Sequence, residues 1–221
     1  MRGEDMSDAT VVHLMRHGEV NNPKGILYGR MPDFHLSDLG REMAERVAEW
    51  LKPDHDLAHM VASPLERAQE TAQPVAEAFG LTVHTDERVI ESSNLFEGKV
   101  FGVGNGALRQ WRSWWLLRNP FTPSWGEPYR KIADRMLAAM ADARDVARGR
   151  EALIVSHQLP VWTVRAAIER RRFAHDPRRR ECTLASVTSF RYVGDEVVSV
   201  VYNEPARDLL PAAGKKFAAG A

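Results

Sequence analysis

Residues able to do chemistry gather in three short stretches of this 221-residue chain: Arg16-His17-Gly18-Glu19, Ser63-Pro64-Leu65-Glu66-Arg67 and Ser156-His157. An arginine beside a histidine suits phosphate work. The guanidinium grips phosphate oxygens as a bidentate fork, and a neutral imidazole nitrogen can attack phosphorus. Taken singly, Arg16-His17 reads equally well as a solvated basic turn, His157 as a satisfied core histidine and Arg67 as a helix-surface charge. Placement separates the readings. Each stretch follows an apolar, β-compatible run, Val11 to Met15, Met60 to Ala62 and Leu153 to Val155. In a parallel sheet the carboxyl ends of such strands share one edge, so these residues would meet in one crevice. Two histidines, two arginines and a nearby carboxylate supply a nucleophile, charge-neutralising donors and a proton donor. That set suffices for phosphoryl transfer through a covalent intermediate, with no metal or other cofactor required.

The elements that must position these groups follow from periodicity and punctuation. Val11 to Arg16 reads as a buried strand, followed by a long loop over 21–36 whose length suggests function. Ser37 offers an N-cap, and Leu36, Leu39, Met43, Val47, Trp50 and Leu51 recur at helical spacing. After the strand Met60–Ala62, Ser63 as N-cap, Pro64 as first helical residue and Glu66 as N3 would open a helix placing Arg67 in its first turn. Pro74 is expected to kink or interrupt that helix and Gly80 to end it. A strand at 81–84 and a second extended piece over Asp86 to Glu91 follow, with Glu91 near its end. From Ser92 to Trp125 periodicity disappears, and Trp111, Trp114, Trp115 and Trp125 lie among glycines. We read residues 92–126 as a Trp-rich lid insertion whose indoles pin it to the core, with lining of a ligand pocket as the alternative. A helix over 127–148 ends at Gly149, the strand Leu153–Ser156 runs into His157, and another helix begins near Leu159-Pro160. Arg170 to Arg172 and Arg178 to Arg180 read as a solvated face. Val187–Val193 and Glu196–Tyr202 pair through Gly194-Asp195, a two-residue hairpin turn.

Composition narrows the partners. Lys plus Arg (30) equals Asp plus Glu (30), so no global field draws the chain to nucleic acid or to an anionic membrane surface. Apolar runs are too short to span a bilayer, and the polar segment 1–10 lacks the apolar middle of a signal peptide. A cytoplasmic protein is expected. The lone Cys182 leaves no internal disulfide and no thiolate cluster for zinc or iron–sulfur. These features predict a three-layer α/β/α sandwich with a mainly parallel central sheet. Residues 1–221 form one domain in this reading, with 1–10 a disordered lead-in and 204–221 a loosely ordered tail. Oligomeric state is open, a homodimer included.

The chain resembles the histidine phosphatase superfamily, also called phosphoglycerate mutase-like. Arg16-His17-Gly18-Glu19 matches its RHGE signature, Ser63 to Ala72 its SPLxRAxxTA segment, and Ser156-His157 its second histidine. The resemblance implies that His17 is the nucleophile, that Arg16, Arg67 and His157 surround the phosphoryl oxygens, and that Glu91 is the proton donor. It extends from Val11 to about Val161, and three departures stand out. Pro23 occupies the place of a phosphate-contacting asparagine, which leaves Asn22 as the candidate. Gln158-Leu159-Pro160 replace two glycines after the second histidine. The segment after Glu91 lacks the extended basic-aromatic stretch of true mutases, which favours a hydrolase. Arg30 is read as a contact at the pocket rim and Glu19 as a loop-positioning group. The expected activity is metal-independent hydrolysis of a small phosphate monoester through phosphohistidine. A mutase returning the phosphoryl group to substrate is the alternative, and a non-catalytic phospholigand-binding module the remaining one.

Overall fold

Strands β1 (Ala9–Arg16), β2 (Leu57–Ala62), β3 (Val83–Thr85), β4 (Glu151–Ser156), β5 (Val187–Val193) and β6 (Glu196–Asn203) form one sheet in the order β3-β2-β4-β1-β5-β6. The computed structural model describes residues 9–95, 97–99, 126–173 and 180–210. The Trp-rich lid with Trp111, Trp114, Trp115 and Trp125 lies outside the described residues, as do 1–8, Arg178, Arg179 and 211–221. β1 to β4 pair in parallel, whereas β5 runs antiparallel to β1 and β6 antiparallel to β5. The sheet is therefore mixed rather than parallel throughout. A tight turn at Gly194, with φ 59°, can only return the chain antiparallel.

Alternation along the central strands assigns helices to faces. Met15, Leu153 and Val155 pack with α1 (Asp38–Leu51) and α2 (Glu66–Phe79), through Met43, Val47, Leu51, Ala72 and Val75. Val12, Leu14 and Ile154 point to the other face, against α3 (Tyr129–Val146) and α4 (Gln158–Ile168). Strands covered on both sides need continuous apolar runs, which is why β1 and β4 show no polar alternation. This gives the expected three α/β/α layers. No helix among the described residues is long and apolar enough to cross a membrane.

Several boundaries differ from the sequence reading. β1 begins at Ala9 rather than Val11, because Thr10 pairs with Tyr192 and its hydroxyl accepts the Gly149 N–H. Asp86 to Glu91 is not extended: the Asp86 carboxylate accepts the Arg88 N–H and closes a 3-10 turn at Glu87–Val89. The first strand after α2 is Val83–Thr85, in register with Met60–Ala62. Leu65, not Ser63, is the N-cap of α2, and Pro74 sits inside that helix without ending it. α3 starts at Tyr129, after Pro128, rather than at Glu127. The start of the tail is packed as well. Ala206 is buried beside α1, a 3-10 turn spans Arg207–Leu209, and Arg46 pairs with Asp208 at 3.0 Å.

Candidate active site

Three strand ends are laced together by backbone hydrogen bonds, the His17 N–H to Ser156 O at 3.1 Å and the Ser63 N–H to Val155 O at 3.0 Å. His17, Arg67 and His157 are fully buried there, and Arg16 nearly so. The turn after His17 is pressed onto the start of α1. A Cβ on Gly18 would sit 2.4 Å from Gly40 O, and one on Gly40 would sit 2.0 Å from Glu19 O. Ser37 secures this contact. Its hydroxyl donates to Glu19 Oε2 at 2.6 Å and accepts the Gly40 N–H, so the N-cap of α1 also orients Glu19.

The tautomer of His17 is dictated by its neighbour. Nδ1 lies 2.8 Å from the Gly18 carbonyl oxygen, which can only accept, so Nδ1 carries the proton and Nε2 presents a lone pair. Burial pushes the His17 pKa well below its ordinary value, and the Arg67 and Arg16 charges push it further down. The imidazole is thus neutral and nucleophilic at physiological pH. Its ring centroid lies 5.2 Å from that of His157.

Each surrounding side chain is anchored through one end and open at the other. Arg16 donates Nη1 to Cys182 O at 2.8 Å, Arg67 donates Nη2 to Gly29 O, and His157 Nε2 meets Ser63 Oγ at 2.7 Å. Six nitrogens remain buried without a hydrogen-bond partner: Nε and Nη2 of Arg16, Nε2 of His17, Nε and Nη1 of Arg67, and Nδ1 of His157. An unmet buried donor costs about 1–3 kcal/mol and more if charged, and an oxyanion is the kind of group that could satisfy such a concentration of donors. The Arg67 guanidinium also lies over the Tyr28 ring, 4.7 Å from its centroid. His157 is moreover the N-cap of α4, whose positive dipole end adds to the attraction for a phosphoryl group. Pro160 falls in the first turn, where its missing N–H leaves no intrahelical bond unmade.

Glu91 is buried beside this cluster, with Oε1 accepting the Ser92 N–H at 2.7 Å. Burial raises its pKa, against the opposing pull of the Ser92 N–H and of Arg67, Arg180 and Arg135. Arg30 does not present its guanidinium to the free nitrogens. It donates Nε to the Glu91 backbone carbonyl at 2.6 Å and Nη2 to Glu127 at 3.0 Å. Glu127 in turn receives Nε and Nη2 of Arg135, both at 3.1 Å, while Arg135 Nη1 donates to Arg88 O at 2.6 Å. The pair of arginines on Glu127 thus brackets the 88–91 segment. Asn22 spends its amide on its own loop, donating to Ile26 O and accepting the Ile26 N–H.

Sequence reasoning brought Arg16, His17, Arg67, Glu91 and His157 to one place and missed four contributors. In the sequence Ser63 reads as a helix cap, Glu127 as a helix start, and Arg180 as part of a solvated run, and Tyr28 lies in a loop with no motif of its own. Arg180 is half-buried instead, with Nη1 3.1 Å from Gln158 Oε1 and its guanidinium over Trp162. The available signal was the length of the 21–36 loop, which carries Tyr28 and Arg30 into the site.

Residues 12–205 match the family description "Histidine phosphatase superfamily (branch 1)". The chain is 57% identical over 201 residues to Uncharacterized protein Rv0525 of Mycobacterium tuberculosis, covering 91% of this chain and 99% of that one. It is 30% identical over 183 residues to Probable phosphoglycerate mutase GpmB of Yersinia pestis, covering 80% of this chain and 83% of the relative. Among solved structures, mycobacterial glucosyl-3-phosphoglycerate phosphatase Rv2419c superposes with TM-score 0.69 at 25% identity, over 88% of this chain and 96% of that one.

Proposed function

The chain belongs to the histidine phosphatase superfamily, branch 1, and from that premise we propose that it hydrolyses a small phosphate monoester through a phosphohistidine on His17. The observation that carries the reading is the set of six buried, unpartnered nitrogens converging from Arg16, His17, Arg67 and His157. Four residues from three strand ends hold donors and one lone pair where a phosphoryl group would satisfy them all.

In this reading His17 Nε2 attacks phosphorus in line as the ester P–O bond breaks. Glu91, whose protonated form burial favours, gives its proton to the departing oxygen. Arg16 and Arg67 offset the charge that spreads over the equatorial oxygens, with His157 Nδ1 as a further donor. Glu91, now a carboxylate, takes a proton from water as that water attacks the phosphohistidine. Inorganic phosphate leaves, and His17 returns to its neutral form. No step calls for a metal ion at phosphorus. Arg30, through the Glu91 carbonyl and Glu127, acts as a positioning residue for the proton donor, and Asn22 shapes the loop that delivers Tyr28 and Gly29.

The similarity to a probable phosphoglycerate mutase keeps a second outcome in view, return of the phosphoryl group to substrate. Incubation with 3-phosphoglycerate separates the two, since free phosphate supports hydrolysis and an isomeric product supports the mutase. A panel of phosphorylated metabolites, assayed with and without EDTA and beside His17→Ala, is expected to give chelator-resistant phosphate release that the variant lacks. Activity lost to chelator would overturn the metal-free chemistry, and tight phosphate binding without turnover would leave a binding module.

A further inference from the structure

Two imidazoles and a carboxylate meet at the amino end of β4, away from the phosphoryl pocket. His13 Nε2 and His55 Nδ1 lie 3.1 and 2.9 Å from the same oxygen, Oε2 of Glu151, and the three atoms are all within 4.8 Å of one another. They come from separate elements. His13 is in β1, Glu151 opens β4, and His55 belongs to the turn between α1 and β2. Backbone hydrogen bonds fix that turn at both sides, His55 N–H to Leu51 O at 3.1 Å and Glu151 N–H to Asp56 O at 3.2 Å.

His13 has the outer partner that orients a metal-bound imidazole. Its Nδ1 lies 2.8 Å from Ser189 Oγ, and a hydroxyl both donates and accepts. With no cation, Ser189 can donate to Nδ1 while Nε2–H donates to Glu151. With a cation, Nδ1–H can donate to Ser189 and free the Nε2 lone pair. Neighbouring charge does not oppose a cation, because the Arg150 guanidinium is spent on Asp56, Nε to Oδ2 at 2.7 Å. The Glu151 and His55 side chains are 18% and 20% exposed, which gives an entry path from solvent, and His13 closes the inner side.

We propose that His13 Nε2, His55 Nδ1 and Glu151 Oε2 form a site for one divalent cation of borderline softness, zinc in kind, with water completing its shell. Zinc bonds of about 2.0–2.2 Å at tetrahedral angles put ligand atoms about 3.3–3.6 Å apart, so each nitrogen draws back from Glu151 Oε2 by only a few tenths of an ångström, while the two imidazoles, whose ligand atoms lie within 4.8 Å of each other, adjust toward the shared ion. Two nitrogens among three ligands disfavour magnesium and calcium, which take oxygen. His17 is four residues along from His13, about 13 Å in an extended strand. The cation therefore ties the α1–β2 turn to the two central strands and takes no part at phosphorus.

The test is titration of the EDTA-stripped full chain with Co2+ alone, reading visible ligand-field bands, with Zn2+ displacement and thermal unfolding alongside. One equivalent is expected to bind the wild type and His17→Ala alike, whereas His55→Ala and Glu151→Gln each weaken binding at least about 100-fold. The unfolding midpoint rises with Zn2+ in the wild type and not in those two variants, both of which keep phosphatase turnover as evidence of folding. Absence of stoichiometric binding, binding unchanged in His55→Ala and Glu151→Gln, or binding lost in His17→Ala, which would place the ion in the phosphoryl pocket, overturns the proposal.

Discussion

Replacing Glu91 with glutamine isolates proton donation from every other task of the pocket. Glutamine preserves shape, and its carbonyl oxygen can still accept the Ser92 N–H that Glu91 Oε1 accepts at 2.7 Å. It has no proton to give a leaving oxygen. General acid catalysis by a placed carboxyl contributes about 10²–10⁴-fold, or about 2.7–5.4 kcal/mol of barrier. kcat/KM for an alkyl phosphate should fall by that factor. For 4-nitrophenyl phosphate, whose leaving group departs as a stable anion, the fall should stay under about tenfold. The sign of the pH dependence follows from the raised pKa. The wild type should lose alkyl phosphatase activity as pH rises through the Glu91 ionisation, and Glu91→Gln should lack that alkaline limb. The assay is initial-rate kinetics for both substrates across pH, with kcat/KM as readout because it reports the phosphorylation half-reaction. An equal loss for both leaving groups, or an alkaline limb that survives in the variant, would refute the role.

Gly40→Ala offers a test of opposite sign to helix propensity. Alanine is favoured over glycine within a helix by about 1 kcal/mol, yet the added Cβ would meet Glu19 O, so the variant should lose about 1–3 kcal/mol in urea unfolding and part of its activity. Arg67→Lys keeps the charge but not the fork that reaches both Gly29 O and the phosphoryl site, so kcat should fall about 10²–10³-fold in steady-state assays. His157 is buried with its pKa well below 6.5, so its contribution to stability is complete above pH 6.5 and is lost as pH falls below it. Urea unfolding between pH 6.5 and 5 should therefore show a slope for His157→Gln that is shallower than the wild type's, by about 0.7 kcal/mol per pH unit at the upper end and approaching about 1.4 at the lower.

What the sequence made readable was the convergence of strand ends. Arg16-His17 and Ser156-His157 each follow a mostly apolar run, and a parallel pairing of β1 with β4 leaves those ends side by side. Competition between partners was harder to read. Ser63 before a proline looks like a helix cap, but the deciding partner is His157, 94 residues away, which takes the Ser63 hydroxyl. Local hydrogen bonding likewise turned Asp86 to Val89 from an extended piece into a 3-10 turn, since an aspartate can satisfy a backbone N–H two residues ahead. Glu127 illustrates the remaining difficulty. Its position before α3 suggests a helix end, and only the fold shows it bridging Arg30 and Arg135 across the segment that holds Glu91. The β5–β6 hairpin was legible from Gly194-Asp195, whereas its antiparallel pairing with β1 depends on the return path of the chain.

Chemical quench of the protein immediately after mixing with a phosphate monoester, followed by mass spectrometry of the peptide containing His17, looks for the intermediate itself. Acid-labile, base-stable phosphate on His17 is expected, and with 4-nitrophenyl phosphate, whose leaving group needs no proton, it should accumulate further in Glu91→Gln, where water activation is slowed. Turnover without phosphate on His17, or turnover that persists in His17→Ala, would contradict covalent catalysis by this imidazole.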